Sequence, residues 1–236
     1  MLLLGCNSAK NQSEEDQKNT LSEPQSTPAN IENDAQNNDE DSSVPRIVFF
    51  GNSLSAGYGL ENPALAFPGL IQQKLNAEGY DYNVVNAGLS GETTAGGRNR
   101  IDWVLKQPVS VLVLELGGND GLRGIPTEES LDNLQLIIET TQQKYPDATV
   151  ILAGMEAPPN MGDDYTQSFR EIYTTLAEKN ELPIIPFLLE GVAGESSLNL
   201  PDGIHPNPEG HKIVAENVWA VLQPVLEAKT TESDPS

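Results

Sequence analysis

The chain has 236 residues and a formal charge of −22 at pH 7. A surface this acidic repels phosphate backbones and anionic lipid, so no nucleic-acid partner is expected and, against anionic lipid, membrane contact is expected only through a covalent anchor. The single cysteine, Cys6, excludes an intrachain disulfide.

In chain order, Met1-Leu-Leu-Leu-Gly-Cys6 comes first. Its Leu3-Leu4-Gly5-Cys6 resembles the lipobox of bacterial lipoproteins, in which the cysteine is lipidated and becomes the mature N-terminus. The resemblance implies lipidation at Cys6, an extracytoplasmic location, and residues 1–6 as a signal remnant, although a basic n-region is missing and the apolar run is short. Residues 7–44 are rich in Asn, Gln, Ser and acids, carry no aromatic residue and show no apolar period. The expectation is a disordered acidic linker, with an average reach of roughly 35 Å. Residues 229–236 read as a similar tail. Residues 45–228 remain as one domain, holding 24 acids against ten bases.

Within that domain, apolar β-branched runs occur at Ile47–Phe50, Tyr82–Val85, Val109–Leu116, Ala148–Ala153 and Leu182–Phe187. They are continuous, as expected of parallel strands covered on both faces. Stretches at Phe67–Glu78, Thr94–Lys106, Thr127–Tyr145, Tyr165–Asn180 and Pro208–Leu226 have the length and spacing of crossover helices. Five such βα units predict an α/β fold, a three-layer α/β/α sandwich with right-handed crossovers. In such a sheet the reactive loops gather at the carboxyl ends of the strands. Four polar or glycine-rich segments fall there: Gly51-Asn-Ser53, Asn86 to Thr93, Gly117-Gly-Asn-Asp120 and Asp202-Gly-Ile-His205.

Ser53 follows the first strand where the chain enters a helical turn, so its hydroxyl stands clear of the sheet. His205 is one of two histidines. Asp202, three residues earlier, can reach the near imidazole nitrogen within one turn and leave the far one to take a proton from Ser53. The alternative is an ordinary turn with a solvated imidazole. His211, the competing base, falls in the first turn of the last helix and reads as a surface residue. Three donors are on offer to an oxyanion: the Ser53 N–H, the Gly91 N–H and the Asn119 side-chain amide. Two histidines without a cysteine partner make no structural zinc site.

Gly51-Asn-Ser-Leu54, Gly91, Gly118-Asn119-Asp120 and Asp202-x-x-His205 resemble, in order, the four blocks of the SGNH (GDSL-type) hydrolases. The branch most similar is the bacterial thioesterase I/lysophospholipase/arylesterase group. It shares Leu-Ser-Ala-Gly-Tyr-Gly at 54–59, Val-Val-Asn-Ala at 84–87, Glu-Leu-Gly-Gly-Asn-Asp-Gly-Leu-Arg-Gly at 115–124 and Asp-Gly-Ile-His-Pro-Asn at 202–207. The resemblance implies a five-stranded parallel sheet in flavodoxin-like order, with Ser53 as nucleophile, His205 as acid/base and Asp202 as its orienter. It implies an oxyanion hole of Ser53, Gly91 and Asn119, and no metal or organic cofactor. It also implies that the loops Gly121–Ile125 and Glu156–Tyr165 border the acyl channel, making Gly121, Leu122, Pro158, Pro159 and Met161 candidate pocket residues. Asp120 and Arg123 are expected to brace the loop; Glu115 has no assignable role. The family's first block usually has Asp where this chain has Asn52.

The expected activity is hydrolysis of acyl esters or thioesters through an acyl-enzyme, with small-molecule esters, lysophospholipids among them, as substrates. The alternatives are a carbohydrate O-deacetylase of the same fold and a catalytically silent surface lipoprotein that binds a ligand in the same cleft.

Overall fold

The computed structural model describes residues 44–233; Cys6, its lipobox and the linker lie outside the described residues. The elements, in order, are β1 (Arg46–Gly51), α1 (Ser53–Ala56), α2 (Phe67–Glu78), β2 (Asn83–Asn86), α3 (Thr94–Val104), β3 (Val111–Glu115) and α4 (Gly118–Arg123). They continue with α5 (Thr127–Lys144), β4 (Thr149–Ala153), α6 (Asp163–Asn180), β5 (Ile184–Ile185) and α7 (Pro208–Ser233). The five strands are parallel in the order β2-β1-β3-β4-β5. This is the α/β architecture expected from the alternating runs.

Ile47 to Phe50 and Val111 to Leu114 have no exposed surface, because β1 and β3 lie in the middle of the sheet with helices over both faces. Strand order reverses at β1, so the crevice for a ligand opens at the carboxyl ends of β1 and β3. The register there pairs Gly51 with Glu115. A charged residue on β3 thus lies beside the residue two before Ser53.

Three elements depart from expectation. β5 is two residues instead of six, because Pro183 and Pro186 flank it and neither has an N–H to give a ladder. The Gly118-Asn-Asp120 stretch opens a six-residue helix, α4, after Gly117 turns the chain at φ +111°. The last helix does not stop near Leu226: it runs to Ser233, past the point where the tail was expected to begin. There the Lys229 Nζ donates to the Asp147 carbonyl at 2.8 Å, fastening the end of α7 to the loop before β4.

Candidate active site

Helix α1 has four N–H groups and no preceding turn to receive them. The Leu54 N–H donates to Asn52 Oδ1 at 3.0 Å and the Ser55 N–H to Glu115 Oε2 at 3.2 Å. The Ala56 N–H bonds the Asn52 carbonyl at 3.0 Å. The Ser53 N–H alone has no acceptor among the described residues. One donor is therefore left free at the residue whose hydroxyl faces the cleft.

What holds this turn is Glu115. Its Oε1 accepts from Asn52 Nδ2 at 2.7 Å, and its Oε2 accepts from the Asn52 N–H at 3.1 Å and the Ser55 hydroxyl at 2.7 Å, besides the Ser55 N–H. The side chain is fully buried, and that burial pushes its carboxyl up to about 7 against the pull of its four donors. Gly51 is required beside it: a Cβ there would lie 2.3 Å from both Glu115 Oε2 and Ser55 Oγ. The β2–α3 loop is stitched to the same turn by Asn86 Nδ2 on the Ser55 carbonyl at 2.6 Å and by the Leu89 N–H on the Gly51 carbonyl at 2.9 Å.

The 150-odd residues between the first block and the last close on this turn. His205 Nε2 lies 2.8 Å from Ser53 Oγ, and His205 Nδ1 lies 2.8 Å from Asp202 Oδ2. Asp202 Oδ1 meanwhile accepts the N–H groups of Ile204 at 2.9 Å and His205 at 3.0 Å. Those two backbone donors, His205 first, hold the Asp202 carboxyl down at about 2. With Asp202 fixing the proton on Nδ1, Nε2 presents its lone pair to the hydroxyl. The Tyr58 ring packs against the imidazole with centroids 4.6 Å apart.

Asn119, one residue into α4, donates from Nδ2 to the Glu92 carbonyl at 3.0 Å and lines the cleft with its second N–H unassigned. Gly91 adopts φ +82°, its carbonyl accepts from Arg123 at 3.1 Å, and its N–H has no acceptor among the described residues. Gly91 does not itself line the cavity. Asp120 is buried and accepts from the Thr94 N–H at 2.9 Å and the Ser130 hydroxyl at 3.2 Å, clamping α4 to α3 and α5. Neither Asp120 nor Arg123 lines the cleft: Arg123 braces the β2–α3 loop as expected, whereas Asp120 is bonded to two helices.

The cleft is a cavity of about 480 Å³ with Ser53, Asn119 and His205 at its polar end. Leu122, Met155, Ala157, Pro158, Pro159 and Phe187 supply its apolar wall. Two residues expected there do not line it. Gly121 is buried on the inner side of α4, where a Cβ would lie 3.1 Å from the Phe169 ring. Met161 packs over Gly124, 2.8 Å from where a Cβ would stand. Successive helical residues point about 100° apart, and here Leu122 faces the cavity while Gly121 faces the Phe169 ring.

His211 is not a surface residue. It is 1% exposed, its Nδ1 accepts the Phe67 N–H at 3.2 Å, and burial, with the charge of His205 second, pushes it down to about 4. It satisfies an orphan donor at the start of α2. Helical spacing places it on the stripe of Val214, Val218 and Leu222, which is the signal that marks it as buried.

A parallel sheet in this order, with Ser, His and Asp in line above its crevice, defines a hydrolase class. Residues 49–213 match the model of the GDSL-like lipase/acylhydrolase family, and the chain belongs to that family. Among its relatives, Esterase TesA of Pseudomonas aeruginosa is 39% identical over 181 residues, 76% of this chain and 89% of that protein. Thioesterase 1/protease 1/lysophospholipase L1 of Escherichia coli is 37% identical over 182 residues, 76% and 84% of the two chains. The crystal structure of the psychrotrophic esterase EstA from Pseudoalteromonas sp., inhibited by monoethylphosphonate, superposes with a TM-score of 0.72 at 32% identity, covering 77% of this chain and 98% of that one.

Proposed function

We propose that the chain hydrolyses acyl esters or thioesters with Ser53 as nucleophile. His205 Nε2 takes the hydroxyl proton as Oγ attacks the carbonyl carbon, and Asp202 stabilises the imidazolium. The Ser53 N–H, the Gly91 N–H and Asn119 Nδ2 receive the tetrahedral oxyanion. The imidazolium returns its proton to the leaving alcohol or thiol, leaving an ester on Ser53. Water then repeats the sequence and releases the acid.

The single observation that carries this reading is the unbroken line Ser53 Oγ, His205, Asp202, with 2.8 Å at each step, at the polar end of an apolar cavity. The apolar wall favours an acyl chain over a sugar as the bound portion, so lysophospholipids and acyl esters are the proposed substrates. The names of the esterase and lysophospholipase relatives support the same class. An extracytoplasmic location with a lipid on Cys6 belongs to the same proposal; among the described residues no helix is long and apolar enough to cross a membrane.

The test is a chromogenic ester series from acetyl to palmitoyl on wild type and Ser53→Ala. Turnover by wild type and a loss of at least about a thousandfold in Ser53→Ala are expected. Equal activity in the variant removes Ser53 from the mechanism. Wild-type turnover confined to acetylated sugars replaces the acyl-ester reading with the deacetylase.

A further inference from the structure

Seven large apolar side chains are exposed among the described residues, and four of them belong to segments that meet at one opening. These are Tyr58, Leu89, Leu122 and Ile204, each between 46% and 52% exposed. Leu122 and Ile204 line the mouth of the cavity. Tyr58 packs on His205, and the Leu89 N–H is bonded to the Gly51 carbonyl at the end of β1. They come from four separate segments: the loop after α1, the β2–α3 loop, α4 and the loop before α7. Scattered exposed apolar residues need no explanation, whereas a ring of them round a ligand cavity marks an interaction surface.

We propose that this ring docks the domain on a zwitterionic or neutral lipid–water interface, so that an acyl chain passes from the aggregate into the cavity without crossing bulk water. The proposal rests on the ester-hydrolase reading for what enters the cavity. Charge selects the occupant. At the mouth Glu156 is paired with Arg170 at 2.9 Å, Asp202 is bonded to His205 at 2.8 Å, and Arg123 donates to the neutral Gly91 carbonyl, so the anionic character comes from the domain behind it, with 24 acids against ten bases. An anionic surface is repelled by a domain of this net charge, so attachment comes from inserting apolar side chains and not from headgroup charge. Trp103, the most exposed of the seven at 63%, stands apart. It borders Arg46, at the opposite end of β1 from Ser53, and serves as the control position.

The experiment uses the full chain carrying Cys6→Ser, so that no acyl anchor contributes. It is co-sedimented with phosphatidylcholine vesicles and with vesicles to which phosphatidylglycerol has been added. The unmodified ring is expected to partition onto phosphatidylcholine and less onto the anionic vesicles. Leu89→Ser is expected to lower partitioning roughly tenfold, the worth of one buried leucine, while Trp103→Ser leaves it unchanged and both variants melt as the parent does. Equal partitioning of the parent and Leu89→Ser, or a loss in Trp103→Ser instead, overturns the proposal. So does lipid-free self-association abolished by Leu89→Ser, which reassigns the ring to a second copy of the chain. Turnover of monomeric p-nitrophenyl butyrate without any vesicle binding refutes the docking face and leaves the esterase intact; absence of that turnover refutes the esterase reading itself.

Discussion

Replacing Glu115 by Gln keeps its shape and removes its charge, which separates two consequences of burying this carboxyl. Wild-type Glu115 has a folded-state value raised from 4.5 to about 7. Between those limits the native state holds a proton that the unfolded chain has released, so stability is fully present below 4.5 and falls as pH rises to about 7. The loss is about 3 kcal/mol. His211 acts in the opposite sense: lowered from 6.5 to about 4, it costs stability as pH falls through that range, by a similar amount, about 3 kcal/mol. From pH 4.5 to 6.5 the two slopes oppose and the wild-type curve is nearly flat. In Glu115→Gln the His211 slope stands alone, so stability climbs by about 3 kcal/mol toward neutral pH. Turnover responds differently. A Gln oxygen facing the three donors at Oε2 turns its NH₂ toward Asn52 Nδ2, and two donors cannot face each other. Asn52 must rotate and release the Leu54 N–H, loosening the turn that aims Ser53. A displacement of about 1 Å there costs about a hundredfold in kcat. Urea melts at half-unit pH steps and kcat at pH 8 measure both effects. A flat stability curve in the variant, or wild-type turnover, refutes this account of Glu115.

Asn119→Ala is expected to lower kcat by about 10²–10³ with little change in KM, measured on a soluble chromogenic ester, because one oxyanion donor is lost and no substrate contact is. Gly51→Ala drives a methyl group into Glu115 and Ser55 and is expected to destabilise by about 1–3 kcal/mol, read as a lower melting temperature. Asn52→Asp places a second carboxyl where the amide stands 2.7 Å from Glu115 Oε1, so the pair must share a proton. Its stability is expected to fall more steeply than wild type as pH rises, with turnover within about tenfold at neutral pH. A thousandfold gain in turnover overturns the view that Asn52 is a competent support.

Much of the fold was legible because buried parallel strands cannot hide their composition: Ile47–Phe50 and Val111–Leu114 are apolar at every position since both faces are covered. What composition could not reveal was length at the edges. β5 is cut short by two prolines that a hydropathy pattern passes over, and α7 continues to Ser233 through polar residues held by Lys229, a contact with a loop 82 positions away. His211 was legible in principle from helical phase, yet its place in the first turn of the last helix read as surface.

The site divides along the same physical line. Ser53, Asp202, His205 and Asn119 could be named from sequence because their chemistry is local to short turns, and the folded chain brings the first three into hydrogen-bonding line. Glu115 could not be, because its function is a meeting of two strands: its meaning comes from the register that sets it opposite Gly51. A carboxylate in the middle of a sheet is costly unless several donors converge on it. Here they converge from the residues on either side of Ser53 and from no others. The charge is therefore most economically explained as a fixed post for the turn, and Asn52 is suited to it in a way Asp is not, since an amide donates to Glu115 and accepts from the Leu54 N–H at once. The position that departs from the family's usual residue is thus the one whose two-sided hydrogen bonding links the buried post to the exposed hydroxyl.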